Sequence, residues 1–351
     1  IETIELAAPG PGEVLVRITA AGLCHSDLSI INGDRPRVMP MVLGHEAAGI
    51  VEECGPGVTD LQRGDSVALV FVPSCGHCAP CMEGRPALCE PGAAANGAGT
   101  LLGGGRRLHR SDGSLLNHQV GVSCFAEYAV VSRGTLVKVD PELPADVAAV
   151  FGCAVLTGVG AVINSARVPL GATVAVIGLG GVGLAALLGA HAAGARQIVA
   201  IDRLDEKLER AFALGATHAF NADDPDLVAQ VRAATHGGVE YAIEAASSVD
   251  ALEVAYRITR RGGTTVTCSL PHPDHRFQLQ AVNLVAEERT IKGCYLGSAV
   301  PARDIPHYIA LYHAGKLPVD KLITSRISLD EINAGFDRLA AGEAVRQVIV
   351  F

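Results

Sequence analysis

The chain has 351 residues, of which 49% are hydrophobic and 19% charged, and its formal net charge is −9. This length predicts two domains with large buried cores, and the composition argues against disorder. The negative charge argues against nucleic acid as a partner. We find no uninterrupted apolar run of the ~18 residues that a membrane span needs, so we expect no membrane segment. The first residues have strand-like alternation, so we expect no signal peptide.

The first third of the chain has the pattern of a β-rich domain. Residues 13–20 alternate between apolar and polar side chains, and residues 49–53 form a second short strand pattern. Glycine and proline turns interrupt the sequence, as in residues 9–12 and 55–57. Frequent short strands between such turns predict a barrel-like domain. The basic residues of the 106–110 segment are expected to lie on an exposed hairpin or loop rather than at an anion site.

From Pro144 onwards the pattern changes to helices and strands in alternation. Residues 145–150 and 156–165 are predicted to be helical. The predicted strands that follow are 173–177, 197–201, 241–244, 264–268 and 290–292, with helices at 183–193 and 205–214. Strands that alternate with helices predict an α/β fold with a parallel, doubly wound sheet. A helix at 305–314 and a terminal strand at 347–351 complete the series.

A glycine-rich turn after the first of these strands matches the dinucleotide-binding pattern G-x-G-x-x-G. Its matching residues and their neighbours are Gly178, Gly180, Gly181, Val182 and Gly183. An apolar strand directly before the turn and an Ala/Leu-rich helix directly after it make the match specific. Glycines let the backbone approach a pyrophosphate, and the helix N-terminus attracts its charge. We therefore expect a dinucleotide here; a glycine-rich turn without a ligand is the alternative.

Asp202 ends the next predicted strand and favours NAD over NADP as the coenzyme. A carboxylate in this position accepts hydrogen bonds from the ribose hydroxyls of the adenosine half and repels a 2′-phosphate. The alternative role is a charge near a helix N-terminus, since Asp205 and Glu206 follow closely. Arg203 is a basic neighbour that would weaken the discrimination against NADP.

Four of the ten cysteines lie in one short segment, at positions Cys75, Cys78, Cys81 and Cys89. Clustered cysteines in a chain without an export signal favour metal binding in a reducing cytoplasm over disulfides. Four thiolates complete a tetrahedral zinc and leave no open position, so we expect a structural zinc site. An iron–sulfur cluster is the competing interpretation, but nothing else in the sequence indicates electron transfer. His77 lies inside the segment and is expected to be exposed.

A second set of potential metal ligands is dispersed along the chain. Cys24 follows the first β segment, His45 lies between Gly44 and Glu46, and Cys153 opens the coenzyme region. Each of them alone is more typical of a buried core residue. They become candidates for a metal site only in combination with the sequences that flank them.

The chain resembles the zinc-containing medium-chain alcohol dehydrogenases, whose motifs it contains in the same order over nearly its whole length. The segments that carry the resemblance are Cys24-His25-Ser26-Asp27, Gly44-His45-Glu46-Ala47-Ala48-Gly49, the four-cysteine segment, Gly152-Cys153 and the glycine loop. The resemblance implies a GroES-like β-rich catalytic domain and a Rossmann coenzyme domain. The implied boundaries are residues 1–154 for the catalytic domain, 155–296 for the Rossmann domain, and 297–351 for a return to the catalytic domain.

The resemblance also implies a catalytic zinc bound by Cys24, His45 and Cys153, with a solvent or substrate oxygen as the fourth ligand. Glu46 matches a carboxylate that can approach the metal and assist ligand exchange. Asp27 matches a residue that orients the histidine ligand. With the four-cysteine site, the expected content is two Zn²⁺ ions per chain.

Other matched positions concern the proton, the coenzyme and the substrate. Ser26 matches a hydroxyl of the family's proton relay, with a local turn hydrogen bond as the alternative. Ser29 stands where many members have the next histidine of the relay, so we expect water to complete it. The remaining matches are His25 and Arg346 for the pyrophosphate, Lys207 for the adenosine ribose, Thr157 for the nicotinamide and Phe71 for the substrate pocket.

The implied activity is hydride transfer between NAD and a primary or secondary alcohol, or its aldehyde or ketone. An open zinc position lowers the pKa of a bound alcohol and stabilises its alkoxide. The main alternative is a thiol-dependent formaldehyde dehydrogenase that oxidises the S-hydroxymethyl adduct of mycothiol or glutathione. Asp34 resembles an acidic position of that branch, but residues 93–95 are alanines where the branch has a basic residue.

Two alternatives from other classes fit the sequence less well. A zinc-free quinone or enoyl reductase does not need seven metal ligands, and a redox-sensing or structural NAD-binding protein does not need the intact catalytic set. We therefore expect a cytoplasmic enzyme with a small-molecule substrate. The long segment between Cys89 and Cys124 favours a homodimer over a tetramer, the other assembly the family forms.

Overall fold

The computed structural model describes every residue from Ile1 to Phe351, and the chain divides into two compact units. The first unit comprises Ile1–Cys153, Val300–Ala310 and Ile323–Phe351, and the second comprises Ala154–Ala299 and Leu311–Leu322. The observed division differs from the predicted boundaries chiefly at Leu311–Leu322, which belongs to the second unit. This excursion contains only a helix end and a short turn, and nothing in its sequence indicates which core it joins.

Among the regular elements of the first 150 residues, strands outnumber helices. The strands are β1 (Glu5–Leu6), β2 (Glu13–Gly22), β3 (Met41–Val42), β4 (Ala47–Cys54), β5 (Ser66–Leu69), β6 (Leu108–His109), β7 (Leu115–His118), β8 (Tyr128–Ser132) and β9 (Leu136–Lys138). The helices are α1 (His25–Ile31), α2 (Ala79–Met82), α3 (Glu90–Ala98) and α4 (Ala145–Val150), with 3₁₀ turns at Pro86–Leu88 and Arg133–Thr135.

The middle of the chain alternates between helix and strand. Two π-helical segments, Phe151–Val155 and Ala161–Ala166, flank α5 (Leu156–Gly160). The elements that follow are β10 (Thr173–Ile177), α6 (Gly181–Ala192), β11 (Gln197–Asp202), α7 (Asp205–Ala213), β12 (His218–Asn221), α8 (Leu227–Ala234), β13 (Val239–Glu244), α9 (Val249–Ile258), β14 (Thr259–Thr267), α10 (Ala281–Ala286) and β15 (Thr290–Gly293).

The last fifty residues contain two helices and two strands. They are α11 (Pro301–His313), β16 (Ser325–Ile327), α12 (Ile332–Ala340) and β17 (Gln347–Val350), with 3₁₀ turns at Leu296–Ser298, Val319–Leu322 and Leu329–Glu331.

Two sheets form the framework of the first unit. The larger follows the order β16-β17-β2-β4-β5-β9, with β8 also paired to β2. Alternate residues of β2, namely Val14, Val16 and Ile18, are buried in its core, as period-2 patterning predicts. The smaller sheet has the order β1-β6-β7-β3. Its β3 and β7 run parallel, with Val42 opposite His118, so the loops after both strands leave from the same edge.

The second unit is built on one six-stranded sheet, and all its strand pairs are parallel. The order is β12-β11-β10-β13-β14-β15, so the chain moves outwards in one direction from β10 and in the other from β13. All five residues of β10 are buried, as expected of a strand with both faces covered. The predicted doubly wound sheet is confirmed. Such sheets bind ligands where the strand order reverses, which here is between β10 and β13.

Three local features differ from the sequence-based expectations or refine them. The two predicted helices at 145–150 and 156–165 are one helical stretch, Ala145–Ala166, long and apolar enough to cross a membrane. Its apolar residues are interrupted by Asp146 and Asn164, and 89% of its most apolar window is buried inside the protein, as in a core helix. The basic 106–110 segment lies on a β6–β7 hairpin, where Arg107 pairs with Glu13 at 2.6 Å. The strand β12 was not predicted.

Candidate active site and metal centres

The four-cysteine segment folds into one compact donor cluster. The sulfur atoms of its members, Cys75, Cys78, Cys81 and Cys89, all lie within 4.8 Å of one another. Backbone N–H groups donate to two of the sulfurs: Cys75 N and Gly92 N to Cys89 Sγ at 3.2 and 3.3 Å, and Cys78 N to Cys75 Sγ at 3.3 Å. Hydrogen bonds from the backbone amides of His77 and Cys78 lower the pKa of Cys75 to about 7. These donors favour the thiolate of Cys75, whereas burial raises the pKa of Cys81 and of Cys89, so those two thiolates would need a bound cation.

Short helices hold these cysteines in place. Cys78 is the N-cap of α2, and Cys89 is the N-cap of α3, where its sulfur accepts a hydrogen bond from Gly92 N. His77 is exposed, as predicted, and its Nδ1 contacts the Cys75 carbonyl at 2.8 Å. Four sulfurs would complete the ligand set of a tetrahedral ion, so the segment would offer no position for a substrate.

The dispersed ligands also meet. One donor atom from each of Cys24, His45, Glu46 and Cys153 lies within 4.8 Å of the others. The distance from Cys153 Sγ to His45 Nε2 is 3.6 Å. Tetrahedral zinc with usual Zn–S and Zn–N bonds places sulfur and nitrogen ~3.6 Å apart. All four residues are buried, Glu46 completely. The donor set and its spacing therefore fit a zinc ion with two thiolates and one imidazole.

These ligands come from three separate segments of the first unit. Cys24 lies between the end of β2 and the start of α1, and His45 lies between β3 and β4. Cys153 is in the π-helical segment that packs on β5 so closely that a Cβ on Gly152 would lie 1.9 Å from the Leu69 carbonyl oxygen. Gly44, before the histidine, has φ +101°, and a Cβ there would lie 2.5 Å from Phe125 N. Only glycine fits that position.

A buried carboxylate supports His45 from behind. Asp27 is fully buried, and its Oδ1 accepts a hydrogen bond from His45 Nδ1 at 2.7 Å, which leaves Nε2 for a metal. Burial disfavours the charged imidazole, but Asp27 and Cys24 outweigh it and raise the pKa of His45. Asp27 Oδ1 accepts a second hydrogen bond, from Gln119 Nε2 at 2.7 Å. Gln119 was not predicted, because no motif or spacing in the sequence marks it.

Glu46 forms a buried ion pair with Arg346. Nη1 of Arg346 donates to both oxygens of the carboxylate, at 2.8 and 2.9 Å, and to the Leu23 carbonyl at 2.9 Å. Only 3% of Arg346 is exposed, and its Nε has no partner within the chain. Removing one member of such a pair typically costs ~3–5 kcal/mol, because the other charge stays buried. Arg346 thus holds the carboxylate beside the ligands.

Other predicted residues surround this cluster. The Phe71 ring meets the His45 ring edge-on, with 5.6 Å between centroids. Ser26 is half-buried in the first turn of α1, and its hydroxyl has no hydrogen bond within the chain, so the alternative turn hydrogen bond is absent. Ser29 Oγ instead donates to the His25 carbonyl at 2.9 Å. The His25 side chain is exposed.

In the second unit, the glycine loop joins β10 to α6 at the reversal of strand order. A Cβ on Gly183 would lie 1.7 Å from the Gly178 carbonyl oxygen, so the helix starts tightly against the strand. Nothing lies within 4 Å of a Cβ built on Gly180. The loop therefore has the close turn and the open backbone that a pyrophosphate needs. Gly181 and Val182 form the first turn of α6.

Asp202 lies beside this loop at the end of β11. Its Oδ2 accepts a hydrogen bond from Leu179 N at 2.6 Å, and its Oδ1 accepts one from Leu204 N at 3.1 Å. Arg203 turns to Asp223, whose carboxylate its Nε contacts at 3.0 and 3.1 Å. Asp223 was not predicted; it follows β12, which pairs with β11. Lys207 is in the first turn of α7, and Thr157 is buried in α5.

Comparison with known proteins agrees with this chemistry. Residues 10–141 match the alcohol dehydrogenase GroES-like domain, and residues 181–314 match the zinc-binding dehydrogenase family. NDMA-dependent alcohol dehydrogenase of Amycolatopsis methanolica is 40% identical, with 100% of this chain and 95% of that protein covered. Alcohol dehydrogenase 1 of Oryza sativa subsp. indica is 39% identical, with 99% and 93% covered. The crystal structure of benzyl alcohol dehydrogenase from Acinetobacter calcoaceticus has a TM-score of 0.94 at 34% identity, with 100% and 95% covered.

A thiol–imidazole cluster in a GroES-like unit and a doubly wound unit with a dinucleotide loop define a zinc-dependent oxidoreductase. The chain belongs to the zinc-dependent medium-chain alcohol dehydrogenases. The predicted family and fold are thereby confirmed, and the protein is an alcohol oxidoreductase.

Proposed function

We propose that this enzyme oxidises a primary or secondary alcohol with NAD, or catalyses the reverse reduction, and that it holds two Zn²⁺ ions per chain. The observation that carries the proposal is the buried Cys24, His45 and Cys153 cluster with Asp27 behind the imidazole. Zinc bound there would act as a Lewis acid that lowers the pKa of an alcohol. The thiolates of Cys24 and Cys153 would offset the positive charge of such an ion.

The chain's own residues then bind the substrate and receive its proton. Phe71, edge-on to His45, offers an apolar wall close to the ligands. Ser26 is two residues beyond Cys24, and its unpaired hydroxyl can accept the alcohol proton and pass it to water. Ser29 cannot take the place of a histidine in this relay, because its hydroxyl is bonded to the backbone. Glu46 stays beside the ligands and is proposed to assist their exchange.

For the coenzyme we propose NAD, bound by the glycine loop and by the ribose-facing carboxylate of Asp202. Two observations support this choice. Asp202 is fixed to the loop itself through Leu179 N, and Arg203 is engaged by Asp223 rather than free to meet a 2′-phosphate. Lys207 and Thr157 are proposed to contact the ribose and the nicotinamide. His25, whose side chain is exposed, and Arg346, whose Nη1 is bound to Glu46, are proposed to contact the pyrophosphate, as the family resemblance implies.

We propose a free alcohol, rather than a thiol–formaldehyde adduct, as the substrate. Asp34, the residue that resembles the thiol-dependent branch, is engaged in a turn with Asn32, with side chains 2.7 Å apart. Ala93, Ala94 and Ala95 lie within α3 and offer no cation for a carboxylate. A relative in structure acts on benzyl alcohol according to its name, which favours an aromatic alcohol here.

We further propose a homodimer in the cytoplasm. The strand β15 is an edge of the parallel sheet, and an edge strand with free backbone groups is a template for pairing. Val282 and Val285 of the preceding helix α10 are 68% and 79% exposed. All ten cysteines are free, which suits a reducing compartment. Sedimentation equilibrium distinguishes the dimer from a monomer or a tetramer.

The first prediction concerns substrate choice. The kcat/KM for benzyl alcohol or a medium-chain alcohol should exceed that for formaldehyde plus glutathione or mycothiol by at least tenfold, about 1.4 kcal/mol. The reason is the missing cation in α3, and the readout is NADH formation. Ala94→Arg, at an exposed position of α3, is the matched control and should raise activity with the adduct only. If the adduct is preferred by wild type, the thiol-dependent function replaces this one.

The second prediction separates the two metal sites. Cys89→Ser should lose one zinc and lower Tm, because the four-sulfur site stabilises the lobe. Cys153→Ser should abolish activity while the fold persists. Cys124→Ser changes a buried cysteine outside both clusters and should keep both ions. Metal analysis, calorimetry and turnover are measured together; one zinc per chain in a fully active wild type would contradict the proposal.

The third prediction concerns coenzyme choice. The double variant Asp202→Gly, Asp223→Ala should shift kcat/KM towards NADP by at least tenfold, about 1.4 kcal/mol. It removes the repulsive carboxylate and frees Arg203 for a phosphate. Asp202→Gly alone should shift less, since Asp223 still engages Arg203. Asp223→Ala alone should have a small effect, because an exposed pair contributes only ~0–1 kcal/mol. A wild type that uses both coenzymes equally would refute the role of Asp202.

The fourth prediction tests the proton relay. Ser26→Ala should keep zinc and NAD but lose roughly 10²-fold in kcat, the usual scale for a positioned proton-transfer group. Ser26→Thr keeps the hydroxyl and serves as the control. Both are measured with a substrate whose deuterium isotope effect shows that chemistry limits the rate. An unchanged kcat in Ser26→Ala under those conditions would remove Ser26 from the pathway.

A further inference from the structure

The side chain of Gln119 contacts both Asp27, the hydrogen-bond partner of His45, and the backbone directly before His45. It is 2% exposed. Its Nε2 donates to Asp27 Oδ1 at 2.7 Å, and its Oε1 accepts a hydrogen bond from Gly44 N, the amide directly before His45. One amide therefore fixes both the carboxylate that orients the imidazole and the backbone that carries the imidazole.

The parallel pairing of β3 and β7 creates this arrangement. Val42 is opposite His118, so the chain that continues to Gly44 and the chain that continues to Gln119 run side by side. Two further bonds hold the segments together, Cys124 N to the Gly44 carbonyl at 3.1 Å and Phe125 N to the Leu43 carbonyl at 3.0 Å. Gln119 is thus placed beside Gly44 by the sheet register.

Within the chain, Asp27 depends strongly on this contact. Its Oδ1 has two donors at 2.7 Å, His45 Nδ1 and Gln119 Nε2, whereas its Oδ2 accepts only from Cys24 N, at 3.2 Å. The hydrogen bond from His45 does not by itself fix Asp27, because the imidazole and the carboxylate can shift together. Gln119 is the donor from outside the zinc set that fixes the carboxylate.

Gln119 itself is held by its surroundings. Its backbone N–H donates to Ser123 Oγ at 2.8 Å, and the Ser123 hydroxyl donates to the Val42 carbonyl at 2.8 Å. Ser123 is buried. The glutamine therefore sits in a fixed backbone frame, and its side chain can transmit that rigidity to Asp27.

We infer that Gln119 is a positioning residue for the catalytic zinc, acting through Asp27 and Gly44 on His45. The inference rests on the proposed zinc at Cys24, His45 and Cys153. Residues that orient metal ligands typically change metal affinity or activity by roughly 10–100-fold when they are removed. A buried amide that only satisfied its own hydrogen bonds would affect the stability of the fold, but not the release of one particular ion.

The test uses two variants of Gln119 and one matched control in the holoenzyme. Gln119→Leu removes both contacts. Gln119→Glu keeps the size of the side chain and an acceptor for Gly44 N, but it replaces the amide donor with a second carboxyl group against Asp27. Asn117→Leu changes a buried amide in β7 that bonds to the Pro40 carbonyl and to Arg106 and does not touch Asp27. The Tm of this variant shows how much stability is lost when a buried amide is removed from the same region.

The measurements are zinc release to a chromophoric chelator, the visible spectrum after Co²⁺ replaces the catalytic zinc, and Tm. Both Gln119 variants should release one of the two ions at least roughly 10-fold faster than wild type and shift the Co²⁺ bands. Asn117→Leu should lower Tm by a similar amount with wild-type release and spectrum. If Gln119→Leu does not fold, Gln119→Glu decides the question alone.

Release and spectrum that match wild type in the Gln119 variants, or that match Asn117→Leu, overturn the positioning role. A wild-type enzyme without zinc at Cys24, His45 and Cys153 overturns the proposed function instead, and metal analysis of Cys153→Ser against wild type identifies that case before any Gln119 variant is made.

Discussion

The first unit depends on one constraint, the burial of several charged groups inside an apolar β framework. Cys24, His45, Glu46 and Cys153 are all buried together, and an isolated buried ion costs several kcal/mol. Each charge must therefore have a partner. Asp27 serves His45, and Arg346 serves Glu46, while the thiolates need a metal cation. The geometry of the fold around the site follows from these pairings rather than from apolar packing alone.

In the second unit, the carboxylate of Asp202 is less buried and also has a hydrogen-bond partner within the chain. Asp202 accepts a hydrogen bond from the glycine loop, so the carboxylate proposed to recognise ribose also shapes the turn proposed to bind the phosphates. Coenzyme selectivity and loop conformation are then coupled, and a substitution of Asp202 changes both. Asp223 adds a second layer, because it competes for Arg203 without touching the loop. Selectivity in this unit is a property of a small network and not of one residue.

The sequence predicts the parts of the site whose signals are local. The glycine loop, the four-cysteine segment and the motifs around Cys24 and His45 are contiguous, and the doubly wound sheet follows from alternating elements. Gln119 and Asp223 escape prediction, since each meets its partner only through strand pairing, β3 with β7 and β11 with β12. The excursion Leu311–Leu322 also escapes prediction, because nothing in the sequence of its helix end and short turn indicates which core it joins. Helix Ala145–Ala166 was divided because two shorter helical patterns describe its sequence equally well.

The two donor clusters differ in how far the chain must close on itself to form them. Cys75 and Cys89 are 14 positions apart, whereas His45 and Cys153 are 108 apart. The entropy of closing the longer loop costs ~2 kcal/mol more, and its closure requires β4, β5 and the helix that carries Cys153 to have packed. An ion proposed for the four-cysteine segment would therefore need only this short closure in order to bind. An ion at the proposed Cys24, His45 and Cys153 site would need the longer closure as well, so its uptake would report a later stage of assembly.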